Sequence, residues 1–204
     1  MSSQQQRRPH TPRPSHASLI GRQQAGQLAP TDTAKALQAA RGCPDAWYRV
    51  QALASVAEYA DPSAALSILE EAAREAPSCH DAYGTVAVMA WPIGVAFKQG
   101  RLVFAERELK KCLDLASRIE PHASKAYALE ILWGACFAEH PSHANAVWRR
   151  ILELCHPDRS WRAARLYLHI AEIHHRQNRG AAAVIRAMPP GKARSWLERR
   201  FGLA

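Results

Sequence analysis

Residues 81–121 read DAYGTVAVMAWPIGVAFKQGRLVFAERELKKCLDLASRIEP, and the reading of this stretch decides the fold. It divides into two consecutive helices, Ala82 to Phe97 and Leu102 to Ile119, with Gly100 between them and Pro121 as the stop. In the second helix Leu102, Ala105, Leu109, Cys112, Ala116 and Ile119 recur at steps of three and four. Glu106, Lys110, Asp114 and Ser117 take the opposite side, so one face is apolar and the other polar. The first helix carries no charge between Asp81 and Lys98 and therefore has no solvent face of its own. A helix of that kind needs neighbours on both sides, and Val86, Met89, Leu132 and Trp133 are expected to be hidden among them.

Working outward, the same punctuation recurs. Thr31 or Asp32 can cap a short helix through Ala34, Leu37 and Ala40 that Gly42 and Pro44 close. Asp45 opens a helix through Trp47, Val50, Leu53 and Ala57, and Asp61 with Pro62 stops it and starts the next. A third unit runs from His122 through Leu129 and Trp133 to His140, restarts at Pro141 and continues to Pro157. A fourth begins at Asp158, with Trp161, Ala164, Leu168 and Ala171 as its expected core side. Its short second helix is broken by Pro189 and Pro190, and a helix from Lys192 to Phe201 caps the end. Prolines close the second helices at Pro77, Pro121 and Pro157, separations of 44 and 36 residues that are both hairpin-sized.

These second helices resemble those of tetratricopeptide and related solenoid families. Ala65, Leu69, Ala72 and Pro77 match the family's pattern of small or apolar residues before a closing proline. Leu109, Leu113, Ala116 and Pro121 follow it with Leu in the first place, and Ala144, Trp148, Ile151 and Pro157 keep the order with one extra residue. The wording around Ala90, Trp91, Pro92 and Ile93 also resembles bacterial helical-repeat proteins without an assigned role. The first helices are longer than the family's and the periods irregular, so the resemblance, over roughly residues 45 to 178, implies the architecture and a habit of binding partners, and no particular binding residue.

Charge is distributed unevenly over the 204 residues. Residues 1–42 hold six Lys+Arg against one acidic residue, residues 43–140 nine against thirteen, and residues 141–204 twelve against four. Basic ends of this kind suit an acidic contact or simply solubility. Five cysteines, odd in number and widely spaced, do not form a disulfide framework and fit a reducing compartment, so a cytoplasmic location is expected. The first 30 residues lack acidic residues and any apolar core, and their prolines oppose an amphipathic presequence helix, so residues 1–30 are expected to be a disordered basic tail. The longest uncharged run, Ala82 to Phe97, falls short of the roughly 20 residues a membrane span needs, and no such span is expected.

Candidate chemistry is sparse. Glu153 with His156 and Glu172 with His175 have the Glu-x-x-His spacing of di-metal bundles, yet a helix of some 17 residues at about 1.5 Å per residue keeps the pairs far apart. Cys136, His140 and His143 are similarly separated from Cys155 and His156 by the helix between them. Cys79 beside His80 and Cys155 beside His156 diverge on a helix, and no phosphate loop, nucleophile elbow or dinucleotide fingerprint occurs. No cofactor and no catalytic residue is expected. The polar stripe Arg162, Arg165, His169, Glu172 and Arg176 is the surface that stands out, and guanidinium groups suit phosphate or carboxylate. Trp47, Trp133, Trp148 and Trp161 are expected to be packing residues, which weighs against base stacking.

The expectation is therefore an all-α protein, a stack of about four helical hairpins like a tetratricopeptide α-solenoid, occupying residues 31–204 behind the tail. Its role is expected to be non-enzymatic binding of a protein or peptide partner through polar positions on the first helices, Arg49, Tyr83, Lys125, Arg162, Arg165, His169 and Arg176. Electrostatic nucleic-acid binding through the arginine-rich C-terminal third is the alternative, and an enzyme with a scattered site the third.

Overall fold

The computed structural model describes residues 15–177 and 179–204, and within them the protein is all-helical, with no strand. The helices are α1 (His16–Leu28), α2 (Thr33–Arg41), α3 (Ala46–Tyr59), α4 (Pro62–Glu75), α5 (Ala82–Val88), α6 (Ala90–Lys98), α7 (Leu102–Ala116), α8 (His122–Glu139), α9 (Pro141–Leu154), α10 (Trp161–Arg176), α11 (Ala181–Ala187) and α12 (Lys192–Arg200). They pair in order as hairpins, α1 with α2, α3 with α4, α5/α6 with α7, α8 with α9 and α10 with α11, and α12 follows as a cap. The first helices form a continuous layer in which α1 packs on α3, α3 on α5 and α6, those on α8, and α8 on α10. The uncharged stretch lies in the middle of it. Val86 and Leu132 are fully buried, and Met89 and Trp133 nearly so, as a helix without a polar face requires.

Local chemistry explains where each helix starts and stops. Asp32, Asp45, Asp81 and Ser160 accept backbone N–H bonds in the first turns of α2, α3, α5 and α10, satisfying donors that have no partner inside the helix. Pro62 and Pro141 stand at the first positions of α4 and α9, where no N–H is needed. Pro77 and Pro157 sit in short 3₁₀ turns after α4 and α9, and Pro121 precedes α8 through a cis peptide bond to Glu120.

Three expectations are corrected. The run Ala82 to Phe97 is not one helix but two, broken at Met89, because Pro92 has no N–H for the Val88 carbonyl and its ring crowds that carbonyl. The expected tail does not extend to residue 30: residues 16–28 form α1, and residues 1–14 lie outside the described residues. Ser15 caps α1, Ser18 and Ala25 are buried, and the Ser18 hydroxyl accepts from the Asp45 N–H at 3.0 Å, tying α1 to the start of α3. Gly21 lies so close to α2 that a Cβ there would stand 2.8 Å from the Cys43 sulfur. Ser18, Gly21 and Ala25, all small, line the docked side of this helix, with Leu28 packing at its end.

The third correction concerns α10. Its buried side is Ala163, Leu166, Tyr167, Ile170 and Ala171, while Ala164 and Leu168 are half-buried and Trp161 is 65% exposed. Both stripes are apolar, and the one with the larger aliphatic and phenolic groups faces inward. The Tyr167 hydroxyl donates to the Cys155 carbonyl at 3.0 Å, so its burial leaves no polar group unmatched.

The second-helix layer is joined by polar side-chain contacts. Arg41 on α2 forms a bidentate pair with Glu71 on α4, Glu70 pairs with Arg107 on α7 at 2.7 Å, and Glu106 meets His143 on α9 at 2.9 Å. At the C-terminal end the Asp158 carboxylate accepts from the N–H groups of Lys192 and Ala193 at 3.0 and 2.9 Å, capping α12 from 34 residues away. A Cβ at Gly191 would collide with that carboxylate.

Candidate binding face

The layer of first helices carries a row of aromatic rings. Trp47 and Tyr83 are the second residues of α3 and α5, set at matching levels because Asp45 and Asp81 fix where the two helices begin. Their rings stack at 6.2 Å and 19°, and Tyr83 stacks in turn on Tyr127 of α8 at 6.3 Å and 21°. The Arg162 guanidinium, second residue of α10, lies 4.5 Å from the Tyr127 ring centroid and 4.7 Å from that of Trp161. Four successive first helices are thereby spanned by one row of flat groups. Trp91 of α6 meets Trp47 edge-on at 5.9 Å. Trp91 and Tyr127 remain 36% exposed, so the row reaches solvent. Burial and the neighbouring Tyr127 push the Tyr83 phenol above its ordinary range, and it remains neutral at physiological pH.

Beside Trp91 a groove of about 430 Å³ runs between α1, α3 and α6, lined by Leu19, Arg22, Gln23, Gln51 and Ser55. Gln51 is 4% exposed, and its carbonyl oxygen accepts from Arg22 at 2.9 Å. At the other end of the face, His169 hydrogen-bonds Glu130 of α8 at 2.8 Å. Arg165 and Arg176 are exposed and form no ion pair among the described residues.

The seven expected contact residues divide accordingly. Tyr83 and Arg162 meet in the row through Tyr127, and Arg165, His169 and Arg176 continue down α10 from it. Arg49 holds Glu75 at 3.0 Å and the Cys43 carbonyl at 2.8 Å, both in its own hairpin or the loop before it. Lys125 is 8% exposed, with its ammonium 3.5 Å from Glu120. Trp47, Tyr127 and Trp91 were not among the expected contacts, and exposed Trp161 is corrected from a packing residue. A signal for two of them stands in the sequence: Asp45-Ala46-Trp47, Asp81-Ala82-Tyr83 and Lys125-Ala126-Tyr127 repeat a charged residue, alanine and an aromatic at separations of 36 and 44. Trp47 and Tyr83 are second residues of their helices, while Tyr127 is the sixth of α8, and the three rings nonetheless meet in one row.

The residues considered for chemistry are otherwise engaged. Glu153 pairs with Arg150 and Glu172 with Arg200, so both Glu-x-x-His carboxylates have cationic partners. His140 and His143 pack on Phe97 at 5.2 and 4.7 Å. Among the described residues no three His, Cys, Asp or Glu side chains converge as a metal site would need. Burial pushes the thiols of Cys112, Cys136 and Cys155 up to about 12 and that of Cys79 to about 11, so all four are protonated at neutral pH and poor nucleophiles. No helix among the described residues is long and apolar enough to cross a membrane. No family model, no curated protein and no solved structure matches the chain.

Proposed function

We propose that this protein is a non-enzymatic helical-repeat scaffold, tetratricopeptide-like in its hairpins, that binds a protein partner on the face of its first helices. The observation that carries this reading is the solvent-reaching row Trp47, Tyr83, Tyr127, Arg162 and Trp161. Tyrosine, tryptophan and arginine are the residues that concentrate binding energy in protein interfaces, since they bury large area with few rotamers to freeze. An exposed Trp161 at one end and Trp91 at the other give the face apolar anchors that folding alone does not require. The opposite layer ties part of its charge into pairs between neighbouring helices, Arg41 with Glu71 and Arg107 with Glu70.

Electrostatic nucleic-acid binding is the second reading, and the exposure of Trp161 beside Arg162 and Arg165 favours it. The stacked rings, however, already cover one another's faces, which limits stacking by bases to the ends of the row. The two readings separate by cross-linking in the native host followed by nuclease treatment. The first expects a discrete protein recovered by wild type and lost from a Tyr127→Ala, Trp161→Ala variant. Recovery of the same set by both proteins would contradict it, and generic single-stranded RNA bound at low salt and released as salt rises would favour the second.

A further inference from the structure

A cavity of about 150 Å³ lies between α8, α9, α10 and α11, at the turn end of the last two hairpins. Its floor is Trp133, Ala144 and Val184, none more than 4% exposed, and its walls are the half-buried rings of Phe137, Trp148 and His174. The walls are held firmly. Phe137 stacks on Trp133 at 4.4 Å, His174 lies 5.5 Å from Phe137, and Trp148 is braced edge-on against buried Tyr167 at 5.4 Å. Burial first, and the Arg179 charge second, hold the His174 imidazole below its usual range, so the walls are uncharged at neutral pH.

The mouth differs from the walls in kind. Asn145 and Arg179 are exposed there, and the Arg179 guanidinium carbon is 5.3 Å from the centroid of the Phe137 ring. No carboxylate lines the cavity, and Arg179 forms no ion pair among the described residues. A guanidinium held against an aromatic face keeps its N–H edges available, and those edges match a carboxylate in geometry and charge. The volume, about 150 Å³, is close to that of an apolar cavity known to hold benzene, so the interior suits a single aromatic ring with any polar group left at the open mouth.

We propose that this cavity binds a small aromatic carboxylate, inserted ring first between Phe137 and Trp148 with its carboxylate on Arg179. The site is distinct from the aromatic row on which the proposed function rests, because Tyr127 and Phe137 are about 15 Å apart along α8 at the helical rise. It therefore stands or falls independently of that reading. Ring and charge are both required: the ring fills the aromatic interior, and the anion gives Arg179 the partner it lacks among the described residues.

The test adds phenylacetate, phenylacetamide and acetate to the full chain, following tryptophan fluorescence and the assigned His174 imidazole resonance. Phenylacetate is expected to saturate in the millimolar range or below, as about ten non-hydrogen atoms allow. The uncharged amide should bind about tenfold more weakly, having no charge-assisted bond to Arg179, and acetate should leave His174 unmoved at the same concentrations. Arg179→Gln should abolish the preference for acid over amide, and Asn145→Trp should block the mouth. Both positions are exposed, so both variants keep the wild-type circular dichroism. Equal binding of amide and acid, an undiminished preference in Arg179→Gln, or a phenylacetate response no larger than acetate's would overturn the proposal.

Discussion

Replacing Gly21 by alanine sets two effects of opposite sign against each other. Alanine in a helix interior gains about 0.5–1 kcal/mol over glycine because less backbone freedom is lost. The new methyl, however, would stand 2.8 Å from the Cys43 sulfur and 3.3 Å from the Ala39 carbonyl oxygen, and Cys43 is fully buried with little room to retreat. Overpacking of this kind costs about 1–3 kcal/mol, so the clash wins and α1 should be destabilised by about 1–2 kcal/mol. Repeat stacks open locally, so the informative assay is native-state hydrogen exchange at the Ala25 and Ala29 amides, whose protection should fall about five- to thirtyfold. Cys43→Ala removes the obstructing sulfur, and the double variant should recover at least about 1 kcal/mol relative to the sum of the single changes. Unchanged or increased protection in Gly21→Ala, or additivity in the double variant, would refute the close docking of α1 on α2.

Further outcomes follow from the same contacts. Tyr167→Phe removes the buried hydroxyl from the Cys155 carbonyl and should lower stability by about 1–2 kcal/mol in urea denaturation; an unchanged midpoint would mean that the bond contributes nothing. Leu132→Ala empties a fully buried site in the middle layer and should cost about 2–5 kcal/mol by the same measurement. Trp161→Ala, at an exposed position, should change stability by less than about 0.5 kcal/mol while reducing partner recovery, and a large loss of stability would reassign that ring to packing. Arg41 holds the Glu71 carboxyl below its ordinary 4.5, so the ionised pair stabilises above that pH and the benefit is lost as pH falls through the folded value. Arg41→Gln should accordingly trail wild type by under about 1 kcal/mol at pH 7, with the gap closing in acid; a gap that persists there would show that the pair acts by packing instead.

The helix order and its punctuation were legible because they depend on neighbours in sequence. Asp45, Asp81 and Pro62 act within one turn of themselves, and the uncharged run from Ala82 to Phe97 announces burial whatever surrounds it. Helix α1 was hidden because its docking depends on smallness: Gly21 and Ala25 carry no hydrophobic signal, and only α2 and Cys43 in place make their lack of bulk useful. In α10 two apolar stripes competed, and the hydrogen bond from Tyr167 to a carbonyl twelve residues earlier favours the one that faces inward. Of the candidate face, Tyr83 and Arg162 could be placed from spacing alone. Their meeting through Tyr127 depends on the level at which separate helices pack, which no local pattern encodes, although the repeated alanine-aromatic pair marks the register.

Helix α12 has nine residues, too few to persist alone in water, and its first turn borrows a carboxylate from the loop that opens the fifth hairpin. Its folding is therefore contingent: the chain's last helix can settle only once the segment around Asp158 has taken its final path. Protection of the Lys192 and Ala193 amides thus becomes a gauge of whether the far end of the pile has closed, and Asp158→Ala should loosen that end while the rings on the opposite flank stay in place.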